Sequence, residues 1–330
     1  MKEELKLSKF AKYAWFALGY NVLVIIWGVF LRASKSGDGC GQHWLTCNGE
    51  VIPSAPQLKT IIEFSHRITS SLAGIFIVVL LVWTLINWFY KQQERKKYLL
   101  KTVVCSFVFV CLEGLLGAKL VLTGNTAETL TPERPFWMAA HLVNTFILLA
   151  FLSLTGWFAS GGKRFNFKVE PKILLFLAVS VVGILLVGVS GSVAALSSMI
   201  FPSATLAEGF TKDFSATSHI LLRLRVLHPI LSVAVGVFLI FLAGWFKARA
   251  DGNVWTKRWA NVLTILLLIQ MAWGALTLLT LAPIVMQLVH LFLADAVWIA
   301  FVLMAANVLA GHESVSAESF DGEFVSPANG

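Results

Sequence analysis

The chain alternates long apolar blocks with short polar connections. Eight blocks, over about 13–33, 61–89, 99–122, 135–159, 171–198, 217–246, 259–281 and 284–310, reach the roughly 20 residues that an α-helix needs to cross a bilayer. The pattern predicts an all-α integral membrane protein with eight transmembrane helices. One block breaks its own rule. The first turns of 61–89 carry Glu63, His66 and Arg67, and an ionisable group at bilayer depth costs about 2.5–3.5 kcal/mol, so such groups mark function or pairing.

Composition agrees with the pattern. Of 330 residues, 57% are hydrophobic and 13% charged, with mean hydropathy +0.78, too little polar surface to cover a soluble core of this size. The net charge of +8 raises nucleic acid as a partner, but its placement argues against one. Lys2, Lys6, Lys9 and Lys12 precede the first block. Lys91, Arg95, Lys96, Lys97 and Lys101 follow the second, Lys163, Arg164, Lys168 and Lys172 the fourth, and Lys247, Arg249, Lys257 and Arg258 the sixth. The other connections hold Lys35, Lys59, Arg134 and Lys212. Basic residues stay on the cytoplasmic side, so both termini are expected in the cytoplasm and the lipid bilayer, in a cell membrane, is the partner. The amino terminus lacks a small-residue cleavage site and reads as a retained first helix. The acidic tail, 311–330, with few large apolar residues, reads as disordered.

The two halves repeat. "SHRITSSLAGIFIVVLLVW" (65–83) parallels "LHPILSVAVGVFLIFLAGW" (227–245), placing His66 opposite His228. "LEGLLGAKLVLTG" (112–124) parallels "IQMAWGALTLLTLAP" (269–283), and "WMAAHLVNTFILLAFLSL" (137–154) parallels "MQLVHLFLADAVWIAFVL" (286–303), placing His141 opposite His290. The offsets, 162, 157 and 149, hold within helices and drift in loops, as a duplication would leave them. Four helices per half give both halves the same orientation, and the fold class expected is two pseudo-twofold-related four-helix bundles, over 1–160 and 161–310. Each half then supplies one histidine from its second helix and one from its fourth, on helices that run the same way, near the outer leaflet. Two imidazoles facing each other across a bundle suit the axial positions of a haem iron. A single membrane histidine is as readily a helix–helix hydrogen bond; four at repeat-related positions favour haem. His43, His219 and His312 have no such counterparts and read as solvated or interfacial.

These residues carry a resemblance. "SGDGCGQHWLTCNG" (36–49), "EFSHRITS" (63–70), "GLLGAKLVLTG" (114–124), "AAHLVNTF" (139–146), "RLRVLHP" (223–229) and "LVHLFLADAVW" (288–298) make the chain similar to the haem A synthase family of respiratory-chain assembly enzymes, over about 15–310. The resemblance implies an amino-terminal catalytic half and a carboxy-terminal half that binds haem b. It implies oxidation of the C8 methyl of haem O to a formyl group through a hydroxymethyl intermediate. It sets His66 and His141 against the haem O substrate and makes His228 and His290 ligands of haem b. It also implies contact with haem O synthase, an electron acceptor, and a redox-active pair in Cys40 and Cys47.

Glu63 lies about one turn before His66 on nearly the same face. Oxidising a methyl group releases protons and leaves electron-poor carbon, and a carboxylate at that place can serve either need; the plainer role is a helix-start glutamate facing the helix dipole. The repeat sets Arg225 opposite Glu63. Arg225 and Arg223 in one half and Arg67 in the other are candidates for clamping haem propionates, or for reaching the outer headgroups. Cys40 and Cys47, in the first outer loop, fit a disulfide in an oxidising compartment, either redox-active or a structural staple. Cys105 and Cys111 read as small apolar packing residues. Unlike some bacterial relatives, the carboxy-terminal outer loop (197–218) has no cysteine. Glu113 and Gln270 align and suggest an inherited helix–helix hydrogen bond, Lys119 can face a propionate or water, Asn144 lies one turn beyond His141, and Asp295 is a further intramembrane acid. A dihaem b-type electron-transfer cytochrome and a haem carrier fit the histidines as well, but leave Glu63 and the cysteine pair without work.

Overall fold

In the computed structural model, which describes residues 7–90, 94–126, 128–250 and 252–310, the described residues are helical with one isolated β-bridge between Cys47 and Glu50. The helices are α1 (Lys9–Ala33), α2 (Leu58–Tyr90), α3 (Glu94–Leu122), α4 (Arg134–Ala159), α5 (Pro171–Ile200), α6 (Leu206–Phe214), α7 (Ile220–Arg225), α8 (Leu227–Arg249), α9 (Val254–Leu279) and α10 (Ile284–Leu309). Among the described residues eight spans are long and apolar enough to cross a membrane, with α7 and α8 together forming the sixth, Ile220–Arg249. The expectations for Lys2, Lys6, Lys91, the side chains of Arg95 and Lys96, His312 and the tail fall outside the described residues.

Local chemistry sets the helix ends. Ser8 caps α1 by accepting from the Ala11 N–H at 3.0 Å, and Asn253 caps α9 through Thr256 at 3.0 Å, each satisfying a donor that the first turn leaves open. Pro171 opens α5, where a missing N–H costs nothing. Pro229 explains the break at Val226 between α7 and α8: its ring displaces the carbonyl four residues back, which is that of Arg225.

The exterior is apolar where a membrane would touch it. On α2, Ile61, Ile68, Ile75, Val82 and Phe89 recur every seven residues and are all exposed, forming a lipid-facing stripe. The interior holds the polar minority, much of it returned to the backbone. Thr84, Ser106, Ser153 and Ser180 each donate to the carbonyl four residues earlier, which satisfies hydroxyls where no water reaches. Cys105 is half-buried, and Cys111 faces outward rather than packing inside.

Helix α1 packs on α2 and α4, with α3 between them. In the second half α8 lies against α5 and α9, and α9 against α10. The halves meet through α4, which contacts α5 and α10, and through α1 against α10. Trp298 fastens this seam, stacking on Phe146 at 5.7 Å between ring centres and donating its indole N–H to the Phe146 carbonyl at 2.7 Å. Because the spans alternate, the loop holding the disulfide, the 123–133 connection, α6 and the α9–α10 turn share one face of the protein.

Candidate functional site

The four repeat-related histidines stand at closely similar depth. Counted from the first residue of their spans, Leu58, Arg134, Ile220 and Ile284, each lies about two turns in. His228 joins the others because α7 belongs to its span; α8 itself begins at Leu227, only one residue before it. All four are half-buried.

Three of them rest against glycine on a neighbouring helix. A Cβ on Gly28 of α1 would stand 3.0 Å from His66 Cε1, one on Gly191 of α5 2.9 Å from His228 Cε1, and one on Gly274 of α9 2.9 Å from His290 Cε1. Only a missing side chain lets the imidazoles lie this close to the helix backbones. The fourth pair departs from the rule: a Cβ on Gly117, the repeat counterpart of Gly274, would meet nothing within 4 Å.

The carboxy-terminal pair is within reach of a shared axial ligand geometry. The His228 and His290 rings are 6.2 Å apart between centres and perpendicular, at 88°. Two metal–imidazole bonds of about 2.0 Å, with about 1.1 Å from each nitrogen to its ring centre, give about 6.2 Å. Edge-to-face aromatic contacts span that distance too, so the protonation pattern is what decides the fit. His228 Nδ1 lies 3.2 Å from the Val187 carbonyl and 3.2 Å from Ser190 Oγ. A carbonyl can only accept, so Nδ1 carries the proton and Nε2 keeps its lone pair for a metal. The Nδ1 atoms of His66, His141 and His290 are buried without a hydrogen-bond partner.

In the amino-terminal half His141 lies within electrostatic range of His66, and His141 Nδ1 stands 3.5 Å from Glu113 Oε1. Glu113 is gripped from α4: Asn144 Nδ2 donates to Oε2 at 2.5 Å and the Thr145 hydroxyl donates to Oε1. The expected helix–helix bond therefore exists for Glu113, whereas Gln270 Oε1 is buried with no donor.

Glu63 is 2% exposed and fully engaged. Its Oε2 accepts the Cys40 N–H at 2.8 Å, and its Oε1 is paired with Arg67 Nη2 at 2.5 Å. Arg67 Nη1 donates to the His43 carbonyl at 2.7 Å and the Thr46 carbonyl at 2.9 Å. This network clamps the disulfide loop onto α2. Cys40 and Cys47 are joined and buried at 0% and 1% exposure. Asn48 and Gly49 turn the loop with φ of 54° and 87°, the left-handed pair of a two-residue hairpin turn. Gly39 lets it approach so closely that a Cβ would lie 2.3 Å from the Lys59 carbonyl carbon. Beside the loop Lys35 pairs with Glu128, and that hydrogen bond holds the Glu128 carboxyl below its ordinary range.

The remaining candidates are dispersed. Arg225 pairs with Asp213 at 2.5 Å and donates to the Gly209 carbonyl at 3.4 Å, pinning α6 to α7. Arg223 is exposed on α7. Lys119 is exposed and sits 5.2 Å from the Trp137 ring centre. His43 and His219 are exposed, as expected, and His219 caps α7 through the Leu221 N–H. Asp295 is fully buried, and neither carboxyl oxygen has a hydrogen-bond partner. Sequence reasoning missed the glycine cradles and the place of Glu113. A signal for the former existed, since Gly28 and Gly191 are 163 apart, nearly the His66–His228 offset.

An eight-span membrane protein with two repeat-related pairs of half-buried imidazoles is the class these features define. The chain belongs to the cytochrome oxidase assembly protein family COX15-CtaA, whose profile matches residues 11–302. It is 41% identical over 302 residues to a Thermus thermophilus protein named protoheme IX farnesyltransferase, covering 92% of this chain and 49% of that one. It is 35% identical over 132 residues to heme A synthase of Halalkalibacterium halodurans, covering 40% and 42% of the two chains. It is 38% identical over 109 residues to heme A synthase of Bacillus cereus, covering 33% of each. The chain thus spans about half the length, or less, of the curated relatives it matches.

Proposed function

We propose that this protein is a haem A synthase, an oxidoreductase that converts the C8 methyl of haem O to a formyl group through a hydroxymethyl intermediate, the electrons removed passing to an electron acceptor, for cytochrome oxidase assembly. In this reading the amino-terminal half, 1–160, takes haem O as substrate between His66 and His141. The carboxy-terminal half, 161–310, holds haem b through His228 and His290. The observation that carries the reading is the His228–His290 pair, 6.2 Å apart with the His228 Nε2 lone pair free, repeated as His66 and His141 in a half that adds a buried carboxylate one turn away. Membership of a cytochrome oxidase assembly family and similarity to proteins named heme A synthase support it.

Haem b supplies a one-electron redox centre when bound. The chain's own residues supply the rest. The clamp from Cys40 and Arg67 holds the Glu63 carboxyl in place, one turn before His66 on α2, where it can take a proton released at the methyl or steady positive charge developing there. Arg67 acts in this reading as the positioning partner of Glu63. The buried disulfide acts as a staple that holds the Cys40 N–H on that carboxylate. Both termini lie in the cytoplasm and the site opens to the outer leaflet, as the basic connections favour. The 41%-identical relative is about twice the matched length and is named for farnesyl transfer, which supports contact with the enzyme that supplies haem O.

Extracting pigments from cells that express the protein with a haem O source tests this. Formyl or hydroxymethyl haem should appear with the wild type and be suppressed by Glu63→Ala. Unchanged haem O with the wild type would favour an electron-transfer cytochrome or a carrier.

A further inference from the structure

Imidazoles that would hold a haem iron need acceptors for their second ring nitrogens, and the oxygens nearest that nitrogen differ in charge between His228 and His141. In the carboxy-terminal half, His228 Nδ1 gives its proton to neutral oxygens, those of Val187 and Ser190, both at 3.2 Å. In the same half Gln270, a neutral amide, occupies the position one turn before Gly274, the glycine that cradles His290. In the amino-terminal half that position holds Glu113. Its Oε1 is 3.5 Å from His141 Nδ1, and no hydrogen-bond acceptor satisfies that nitrogen. Asn144 and Thr145, on the helix of His141 and one turn beyond it, hold both oxygens of Glu113, so the carboxylate is fixed relative to the ring that it faces.

We infer that Glu113 is a positioning residue that accepts the Nδ1 proton of His141 and makes it the more strongly donating ligand, while Gln270 leaves His290 the weaker one. The inference rests on the haem-binding reading of His141. When Nε2 binds a metal, Nδ1 must carry the proton, and a buried N–H turns to the nearest acceptor. Carboxylate acceptors raise the basicity of a ligating histidine more than carbonyls do, and such bonding is one of the means by which a protein sets a haem potential. The duplication would thus give the half that takes the substrate the more strongly donating ligand. The other half keeps ligands suited to relaying electrons. Gly117 fits this division: nothing lies within 4 Å of where its Cβ would stand, so the His141 ring is not packed on that glycine and lies instead near the side chain of Glu113, one turn earlier on α3.

The test is a redox titration of the purified full-length protein carrying its haems, with haem retention measured alongside. Glu113→Gln keeps the bonds to Asn144 and Thr145 within reach but removes the charge. It should raise the potential of the amino-terminal haem and weaken its retention by roughly tenfold, and Glu113→Asp should recover part of both. Gln270→Glu should lower the potential of the carboxy-terminal haem alone. Unmoved potentials in both Glu113→Gln and Gln270→Glu, with haem retained in both halves, would overturn the inference and leave the proposed function standing. A wild type that holds no haem between α2 and α4 would remove both.

Discussion

Replacing Gly191 or Gly274 with alanine isolates the geometry on which the proposed haem sites depend. The added Cβ would sit 2.9 Å from an imidazole carbon in each case, whereas carbon atoms settle at about 3.5–4.0 Å. The ring, or the helix that carries it, must therefore retreat by about 0.6 Å at least and about 1.1 Å for full relief. A binding constellation tolerates about 0.5 Å of misplacement, and overpacking of this kind costs about 1–3 kcal/mol, or roughly tenfold to a hundredfold in affinity. Helix propensity works in the other direction, since alanine is favoured over glycine by about 0.5–1 kcal/mol in a helix interior. The two effects separate by position. Gly244→Ala and Gly117→Ala place a methyl group where nothing lies within 4 Å, so they should keep the haem and match or exceed wild-type stability. Purified variants would be assayed for haem per chain and for their Soret spectra, with thermal unfolding as the companion measurement. Gly191→Ala and Gly274→Ala should lose haem while unfolding close to the wild type. A full haem complement in both, or equal haem loss in Gly117→Ala and Gly244→Ala, would refute the assignment of these rings as ligands held by close helix approach.

The clamp on the disulfide loop yields the remaining predictions. Arg67→Ala leaves the nearly inaccessible Glu63 carboxylate without its counter-charge, and breaking such a pair from one side costs about 3–5 kcal/mol; Glu63→Gln/Arg67→Ala should be milder than Arg67→Ala alone in a double-mutant cycle of thermal unfolding, and equal losses would deny the pair its place. Cys40→Ser/Cys47→Ser opens a loop closed at a sequence separation of 7, which corresponds to about 2.4 kcal/mol of closure entropy. The variant should be cut faster by protease between Ser36 and Gln57 than the oxidised wild type, and an unchanged cleavage rate would show that Glu63 and Arg67 hold the loop unaided.

Most of the fold was legible because the membrane leaves few choices. Every backbone group must be satisfied within its own helix, so apolar block length alone fixed the spans to within a few residues, and only the sixth concealed a feature, the Pro229 break before α8. Site residues were less legible in proportion to how far their partners lie in sequence. The four histidines announced themselves through the repeat. Glu113 was visible as an intramembrane acid, but its partners Asn144 and Thr145 are 31 and 32 residues away on the next helix, and no local period reveals which side chains of α4 meet it. The glycine cradles were hidden for the same reason. A glycine in an apolar helix looks like a small packing residue until the facing helix shows what lies against it.

The position shared by Glu63 and Arg225 changes how the duplication should be read. Opposite charges at matching places beside His66 and His228, the proposed haem ligands, suggest opposite ligand chemistry, an acid for the methyl and a base for a propionate. The structure gives them a common task instead. Glu63 takes the Cys40 N–H at 2.8 Å and ties down the segment that precedes α2, while Arg225 takes Asp213 at 2.5 Å and ties down the segment that precedes its own span. Each position anchors the connection on the disulfide face just before the histidine-bearing helix, one with a carboxylate that accepts and the other with a guanidinium that donates. Pairing explains why a charge is tolerated at this depth in both halves: Glu63 is neutralised by Arg67 on its own helix and also takes the Cys40 N–H from the loop, and Arg225 is neutralised by Asp213 of α6. It also sets what Glu63 can add beyond anchorage. Its Oε1 is held by Arg67 and its Oε2 by a single backbone N–H, which leaves a lone pair of Oε2 as the place for a transferred proton, and a proton there would weaken the ion pair with Arg67.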